Sequence, residues 1–500
     1  MLNNLIKGET VMKNITLKTI ALSLVFVLCF SFVGCFGGGN EQAGGLSTEV
    51  YEGDVIYVGN TAATTGALAS IGVPFNLGIE AAFAAYNAKG GYNGKTVALK
   101  HYDDMGDSAQ ALTLMEKLIH EDNIFAVVGN YGSYAVTTNI DVLKENCVPM
   151  VYAAAGNNVL FNNNATSDSD RSIFPVQPLN HTEGQMLILR AFAPVYDDAG
   201  NTIGGFGASK VGVISSSDEA SQAMLAGIKQ EAETSGLSDK IVYQNVTTDD
   251  FSAAASAIKA ADCDVVIVTV VGTPFVSALT ALANVDFNKS VLTTYNNSNA
   301  AMFNDDNSRM TEAGLNIFSK MAIFAQAWLD ITDTSYYFAD SSAALYNGYK
   351  FLGMIQKDEN GKELGVPGFT EEYWVVAQNI YNYALAQGRS DAFTLSYNSY
   401  ALAGYIAGDL FCQALEAMEA DGMELTRANL VAALESKQFK VAMADYISYA
   451  NGMRAGVESF SLTMFYNTGA VEGGTDYDCA ASVTTHTLTS IEDYRALIAK

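Results

Sequence analysis

The amino-acid sequence predicts an α/β protein built from two doubly wound lobes. Short β-branched runs alternate with helix-period segments from Asp54 onward, which is typical of a parallel sheet with crossover helices. The same alternation begins again after the Asn180 region. With 500 residues, of which 49% are hydrophobic, the chain is long enough to bury a substantial core in each lobe.

The first lobe is predicted from the periodicity of residues 54–153. Apolar residues repeat at helical spacing over 76–87, and Gly90 and Gly91 follow to end that helix. Ser108 is positioned to cap a second helix with a regular apolar face. Strands are predicted at 55–59, 97–102, 125–129 and 150–153.

The second lobe is predicted from the same pattern further along the chain. Helices are expected over 252–261 and 275–284, and strands over 210–214, 241–243 and 265–271. Parallel sheets of this kind bind ligands beyond the carboxyl ends of their strands. Two such lobes in tandem, without a phosphate loop, therefore indicate a protein that binds a ligand in a cleft.

The first 35 residues predict a lipoprotein signal peptide. Lys13 and Lys18 precede a charge-free apolar run, 20–33, that is too short for a comfortable membrane span. The run ends in Phe-Val-Gly-Cys, which resembles a bacterial lipobox and implies that Cys35 carries a lipid. We expect an extracytoplasmic protein anchored to the cell membrane through Cys35, with 36–50 as a flexible tether. An ordinary secretory signal with an incidental cysteine is the alternative.

Charge and cysteine content narrow the class of protein further. The formal net charge is −27, so nucleic acid is not an expected partner. The cysteines that follow Cys35 are too few and too far apart for a disulfide scaffold or a CxxC metal pair. Buried thiols are expected, with one or two bridges as the alternative. These cysteines are Cys147, Cys263, Cys412 and Cys479.

Residues 78–107 resemble part of a known family. They read GIEAAFAAYNAKGGYNGKTVALKHYDDMGD, and Ala-Val-Val-Gly follows at 126–129. The helix end, the Gly-Lys turn, the acidic strand end and the later strand resemble, in order and spacing, the leucine/isoleucine/valine-binding protein family. The resemblance covers 55–284 well and the C-terminal part more loosely. Extra length between about 325 and 396 has no assigned role.

This resemblance implies the type I periplasmic binding protein fold, in which two Rossmann-like lobes are joined by a multi-crossover hinge. The N-terminal lobe would comprise residues 51–172 and 325–445, and the C-terminal lobe 173–324 and 446–500. The implied function is capture of an amino acid or a similar small organic solute in the interlobe cleft, for delivery to an ABC permease. Such a protein is expected to be a monomer and to need neither a cofactor nor a metal.

The resemblance also implies a set of ligand contacts. Ser133 stands where the family uses a serine hydroxyl to bind the ligand carboxylate, with a helix N-cap as the alternative. Ala154 and Gly156 match the segment that contacts the α-carboxylate and the α-amine, but Gly156 replaces a threonine and offers only its backbone. The predicted set is completed by Tyr131, Ile71 and Tyr295.

Several positions differ from the amino-acid binders of the family. Tyr295 or Asn296 stands where a glutamate meets the ligand ammonium group, which weakens the expectation of an α-amino-acid ligand. Asp218 or Glu219 is a candidate replacement for that acid, and an exposed acidic pair is the alternative. Small or aliphatic residues stand where aromatic residues line the family's pocket, at Ile71, Ala220 and Val271.

Motifs that could indicate an enzyme are incomplete in this sequence. Residues 90–96 resemble a phosphate-binding Walker loop only at their end, because Lys89 stands where the first glycine is required. Ser256 and Lys259 have the spacing of an acylase motif but lie in an alanine-rich helical segment. Ser133 lacks a G-x-S-x-G elbow, and the histidines show no metal spacing. The alternatives to transport are therefore a ligand sensor for a membrane receptor and, as a different class, an extracellular α/β hydrolase.

Overall fold

The computed structural model describes residues 45–499, apart from 197, 199, 201, 249, 306, 471–476 and most of 332–369. Between 332 and 369 it describes only Gly361 and the backbone of three short strands. The predictions for the signal peptide, Cys35 and most of the tether lie outside the described residues. In the part that is described, no helix combines the length and the apolar character needed to cross a bilayer.

The described strands are numbered along the chain. They are β1 (Val55–Ala62), β2 (Thr96–Asp103), β3 (Val127–Tyr131), β4 (Met150–Ala154), β5 (Ile173–Phe174), β6 (Pro194–Tyr196), β7 (Thr202–Phe206), β8 (Val211–Ser216), β9 (Ile241–Val246), β10 (Val265–Val268), β11 (Ser290–Thr293), β12 (Ile323–Ala327), β13 (Tyr336–Tyr337), β14 (Gln356–Lys357), β15 (Glu363–Pro367), β16 (Gln438–Lys440), β17 (Tyr446–Ser448), β18 (Ser459–Asn467) and β19 (Ala480–Ser490).

The described α-helices are numbered in the same way. They are α1 (Ala69–Ala88), α2 (Ser108–His120), α3 (Ser133–Glu145), α4 (Asp168–Arg171), α5 (Asn180–Phe192), α6 (Glu219–Thr234), α7 (Ser252–Ala260), α8 (Thr273–Asn284), α9 (Glu312–Lys320), α10 (Glu371–Ala386), α11 (Ala392–Ser396), α12 (Ser399–Ala420), α13 (Arg427–Ser436) and α14 (Ile491–Ile498).

The first lobe is built on a parallel sheet with the strand order β2-β1-β3-β4-β5. Apolar side chains on both faces of the sheet, such as Val58 on one and Val127 on the other, are fully buried. Burial on both faces is the reason that these strands read as short, nearly continuous apolar runs. The strand order changes direction beside β1, so the carboxyl ends of β1 and β3 lie at a switch point where such sheets bind ligands.

The second lobe is built on a larger sheet with the order β19-β18-β12-β11-β10-β8-β9. Strands β8 to β12 pair in parallel, whereas β18 and β19 are added antiparallel at one edge. The other pairings are the hairpins β6-β7 and β16-β17 and the small sheet β13-β15-β14. Two doubly wound α/β lobes are therefore present, as the sequence predicts.

Three segments cross between the two lobes: 175–179 after β5, the connection that leaves β12, and 449–458 before β18. The first and third run side by side. The hydroxyl of Tyr449 donates to the carbonyl of Pro175 at 2.9 Å, and the amide of Val457 donates to the carbonyl of Val176 at 2.8 Å. The multi-crossover hinge implied by the family resemblance is thus confirmed.

Several helix boundaries differ from the predicted ones for local reasons. Helix α1 starts seven residues before the predicted 76, with Pro74 inside it. Asp107, and not Ser108, caps α2, because its carboxylate accepts from the amide of Gln110.

The late helix of the first lobe, α12, packs along α1.

The division into lobes at the predicted residues stays a proposal. β5 begins at residue 173 and pairs in the first sheet, and β12 spans the proposed junction at 324/325. Within the predicted tether, the amide of Leu46 donates to Asp168 at 3.1 Å, and the carbonyl of Ser47 accepts from Ala428. No disulfide bond joins the cysteines of the described residues.

Candidate ligand-binding cleft

A cavity of about 1300 Å³ lies between the two lobes, at the carboxyl ends of strands from both sheets. On the first lobe it is reached by the ends of β3 and β4, and on the second lobe by the segments that follow β10, β11 and β12. Five of the six predicted contact residues line this cavity. They are Tyr131, Ser133, Ala154, Gly156 and Tyr295.

The sixth predicted residue, Ile71, is half-buried in the first turn of α1 and is not among the residues that line the cavity. Ala220, Val271 and Asn296, where the sequence departs from the amino-acid binders, do line it. Contact of any of these residues with a ligand stays a prediction.

The amino end of α3 faces the cavity through Gly132 and Ser133. Gly132 is the N-cap residue and adopts φ = 90°, and a Cβ there would lie 2.6 Å from the ring of Tyr134. Ser133 is therefore the first residue of the helix and not its cap, and its side chain is exposed. Unpaired amides and the positive end of the helix dipole make this a favourable place for an anion.

Aromatic side chains form an apolar wall beside that helix end. The ring of Phe75 lies 5.3 Å from that of Tyr131 and 6.4 Å from that of Tyr152, and Tyr131 lies 6.2 Å from Tyr400. Trp328 lines the cavity at the end of β12. Tyr131 is the one residue of this group that is predicted from sequence, because the others are far apart in the chain and have no motif in common.

Tyr152 has a backbone conformation that is rare for a bulky residue. Its φ is +61° within β4, and Gly129, at the same level of β3, has φ = +70°. Gly129 and Tyr152 are not paired with each other in the ladder between β3 and β4, so both strands bend at this position. Such a conformation costs roughly 1–3 kcal/mol and is typical of functional sites. It places the Tyr152 ring at the cavity, where its hydroxyl donates to Gln177 at 3.3 Å.

Glu183 of α5 lies behind the segment of the second lobe that follows β11, and its side chain is completely buried. Its Oε2 accepts from the hydroxyl of Thr294 at 2.7 Å, and its Oε1 accepts from the amide of Tyr295 at 2.6 Å. Burial raises the pKa of Glu183 to about 8, although both hydrogen bonds act in the opposite direction. The hydroxyl of Tyr295 donates to the carbonyl of Pro178 in the hinge at 3.1 Å. No pattern in the sequence links this carboxylate to the cleft, because Glu183 is distant in the chain from Tyr295.

The two acids proposed as replacements for the family's glutamate have other partners. Asp218 caps α6 by accepting from the amide of Ser221. Oε1 of Glu219 accepts from the side chain of Asn157 at 3.2 Å, a hydrogen bond that joins the two lobes beside the cleft. Neither acid is among the residues that line the cavity.

The cavity carries little charge. Asp330 is the one carboxylate among the described lining residues, which include no lysine or arginine. Burial, together with the charge of Arg190, lowers the pKa of His486, so its imidazole is neutral at pH 7. No group of side chains in the described residues is arranged to hold a metal ion. The described lining thus offers mainly hydrogen-bonding groups and apolar surface, with Asp330 as its one carboxylate.

Residues 55–463 match the family described as "Periplasmic binding protein". A protein of Brucella abortus named "Leu/Ile/Val-binding protein homolog 2" is 32% identical over 148 residues, which are 28% of this chain and 40% of that protein. The aligned region thus spans about two-fifths of that relative's length.

Solved structures show the same fold. A substrate-binding protein of an ABC transporter from Aeropyrum pernix has a TM-score of 0.56 and 17% identity, covering 89% of this chain and 99% of that one. A fatty acid ABC transporter substrate-binding protein from Thermomonospora curvata has a TM-score of 0.52 and 15% identity, covering 91% of this chain and 96% of that one.

Proposed function

Because the chain belongs to the periplasmic binding protein family, we propose that it is the solute-binding component of an ABC importer and captures a small carboxylate in the cleft between its lobes. The family consists of extracytoplasmic solute-binding proteins, so the protein binds its ligand without converting it. In this proposal the protein is a monomer, and a permease binds its closed, ligand-loaded form.

The amino end of α3 is the observation that carries this proposal. Ser133 adds a hydroxyl donor to the unpaired amides of the first helical turn, and this end opens into the cavity. Ala154 ends β4 and Gly156 lies in the loop that follows it, where small residues let the backbone approach a ligand closely. The aromatic wall beside them suits an apolar group on the same ligand.

A thermal-unfolding screen tests the proposal. The soluble chain from residue 36 onward would be mixed with phenylacetate, isovalerate, phenylalanine and leucine, and with the neutral amides phenylacetamide and isovaleramide as isosteric controls. A ligand at a hundred times its Kd stabilises the protein by about 2.7 kcal/mol. We expect the melting temperature to rise with at least one carboxylate and not with its amide.

Two variants make this screen specific for the site. Ser133→Ala removes one donor to a charged group, so we expect the affinity for the carboxylate to fall about tenfold. Ser256→Ala removes a hydroxyl that bonds only to the backbone of α7, outside the cavity, and is expected to change nothing. Equal shifts with amides and carboxylates, or an unchanged affinity in Ser133→Ala, would contradict the proposed anion site.

We also propose that Cys35 carries the lipid that holds the protein at the cell membrane. The support is the signal-like run before Cys35 and the glycine-rich segment after it. Cell fractionation of a strain that expresses the full chain tests this proposal. The wild type is expected in the membrane fraction, and Cys35→Ser is expected to lose metabolic labelling by palmitate. Equal labelling of both proteins would show that Cys35 is not the lipidated residue.

A further inference from the structure

Tyrosine side chains lie beside the proposed carboxylate site. Tyr131 ends β3 two residues before Ser133, so the Cα atoms of the two residues are at most about 7 Å apart. Both residues line the cavity. Tyr400, at the start of α12, lines it as well and is 37% exposed. A ligand that binds through its carboxylate at the amino end of α3 therefore has an aromatic surface within reach of the rest of the molecule.

The rings of Tyr131 and Tyr400 meet at nearly a right angle. Their centroids are 6.2 Å apart, and the angle between their planes is 87°. The fully buried ring of Phe75 packs against Tyr131 at 5.3 Å and supports it. Two rings at a right angle form a corner in which a compact group can contact the faces of both. Aromatic faces are electron-rich and attract cations, quaternary ammonium groups among them.

The groups around this corner suit a cation that has no N–H donors. The described lining residues include no lysine or arginine that would repel a cation. Tyr295 or Asn296 stands where the family resemblance implies a glutamate for a ligand ammonium group. The hydroxyl of Tyr295 donates to the carbonyl of Pro178 at 3.1 Å, so the ring is the part that it offers to the cavity. A primary ammonium group needs acceptors for its N–H groups, whereas a fully methylated one does not.

We propose that the cleft binds a betaine, which is a carboxylate that also carries a quaternary methylated ammonium group, and that this ammonium group lies between the rings of Tyr131 and Tyr400. The inference rests on the proposed function and names the ligand class of that same cleft. The methyl groups fit the apolar surface of the aromatic wall. The positive charge adds a cation–π attraction, which an uncharged group of the same shape lacks.

Calorimetric titration with matched ligands tests the inference. 4-(Trimethylammonio)butanoate and 5,5-dimethylhexanoate have the same shape and differ in the charge of one atom, and 4-aminobutanoate lacks the methyl groups. A shorter set, which consists of (trimethylammonio)acetate, 3,3-dimethylbutanoate and glycine, varies the distance between the two charged groups. In at least one set we expect the betaine to bind about tenfold more tightly than either of its analogues.

Variants of the two tyrosines assign this preference. Tyr131→Leu and Tyr400→Leu each remove an aromatic face and are expected to reduce the preference for the betaine over its uncharged isostere about fivefold. Tyr131→Phe and Tyr400→Phe keep the ring and are expected to keep the preference. A purely structural role would change the affinities of both ligands alike. Tyr397→Leu is the control, because Tyr397 is 46% exposed and is not among the residues that line the cavity. The ligand-free melting temperature of each variant shows whether it folds.

The outcomes separate this inference from the proposed function. If in both sets an analogue binds as tightly as the betaine, the inference is overturned and the carboxylate site stands. A preference that both leucine variants leave unchanged would overturn it as well, and loss of that preference in Asp330→Asn would assign the ammonium group to Asp330. If other carboxylates bind and neither betaine does, the inference fails alone. If no carboxylate binds, the proposed function fails first and this inference fails with it.

Discussion

Glu183 connects the ligand-facing loop after β11 to the hinge through its two carboxylate oxygens. Its pKa is raised to about 8 by burial, so the folded protein holds a proton that the unfolded chain releases near pH 4.5. Between these values the native state binds more protons than the unfolded state, and the free energy of unfolding falls as pH rises. Below pH 4.5 both states are protonated, and above pH 8 both are ionised.

Glu183→Gln is therefore expected to be more stable than the wild type at pH 8, by roughly 3 kcal/mol, and to lose this advantage toward pH 5. The glutamine still accepts from the amide of Tyr295 and can donate to Thr294. Urea unfolding between pH 5 and pH 9 measures the difference, with the exposed Glu424→Gln as control. Parallel pH profiles for the wild type and Glu183→Gln would show that Glu183 does not titrate in this range.

The candidate site was only partly predictable at the residue scale. Ser133, Ala154 and Gly156 are predicted from the family resemblance, which matches them to ligand contacts in the segments after two predicted strands. Tyr152 could not be found in this way, because its placement depends on a positive φ inside β4. Asn180 also lines the cavity, and its placement depends on Gly156, where a Cβ would lie 2.7 Å from the Asn180 Oδ1.

At the scale of elements, the contact between α1 and α12 depends on glycine. A Cβ at Gly404 would collide with the backbone carbonyl of Phe75, and a Cβ at Gly78 would collide with that of Ala401. Because each Cβ would collide with backbone atoms and not with a side chain, a change of rotamer cannot relieve the collision. The two helices therefore pack at a distance that only glycine permits.

Gly404→Ala is expected to destabilise the protein by about 3 kcal/mol, although alanine favours the helix itself. Glu416→Ala, on an exposed part of the same helix, is the matched control and is expected to stay within about 0.5 kcal/mol of the wild type. Chemical denaturation gives both values. A stabilised Gly404→Ala would mean that α1 and α12 are further apart than described.

Sequence periodicity predicted β1–β4 and β8–β10, because these strands are short runs rich in β-branched and apolar residues, but it did not predict β5, β11 or β12. It placed the start of α1 too late, since Pro74 normally ends a helix and here lies within one. The antiparallel strands β18 and β19 were not predicted. β19 mixes threonine and serine with few apolar residues, so its pattern does not distinguish a strand from a loop.

At the scale of the whole molecule, a buried ion cluster fixes the hinge crossovers to the first lobe. Arg454, which is 0% exposed, donates to Glu435 of α13 at 2.6 Å, and Arg171 donates to the other oxygen of that carboxylate at 2.7 Å. Arg454 also donates to the carbonyls of Arg171 and Tyr449. The carboxylate of Glu435 is thus the ion-pair partner of both arginines, close to where the crossover segments 175–179 and 449–458 run side by side.

Glu435→Gln is expected to destabilise the protein by about 3–5 kcal/mol, because it leaves the charge of Arg454 buried without a counter-ion. Asp391→Asn breaks the exposed ion pair with Arg389 and is the control, with an expected loss below about 1 kcal/mol. Urea denaturation measures both. Equal losses of unfolding free energy in the two variants would show that the buried cluster stabilises the protein no more than an exposed ion pair.

A carboxylate ligand is proposed to bind between the lobes at the amino end of α3. A crystal structure of the protein with the carboxylate that gives the largest thermal shift would show where that ligand lies. We predict ligand density in the cleft with a carboxylate oxygen within hydrogen-bond distance of the Ser133 hydroxyl or of an amide in the first turn of α3. Density for the ligand elsewhere, or for its carboxylate directed away from α3, would contradict the proposed anion site.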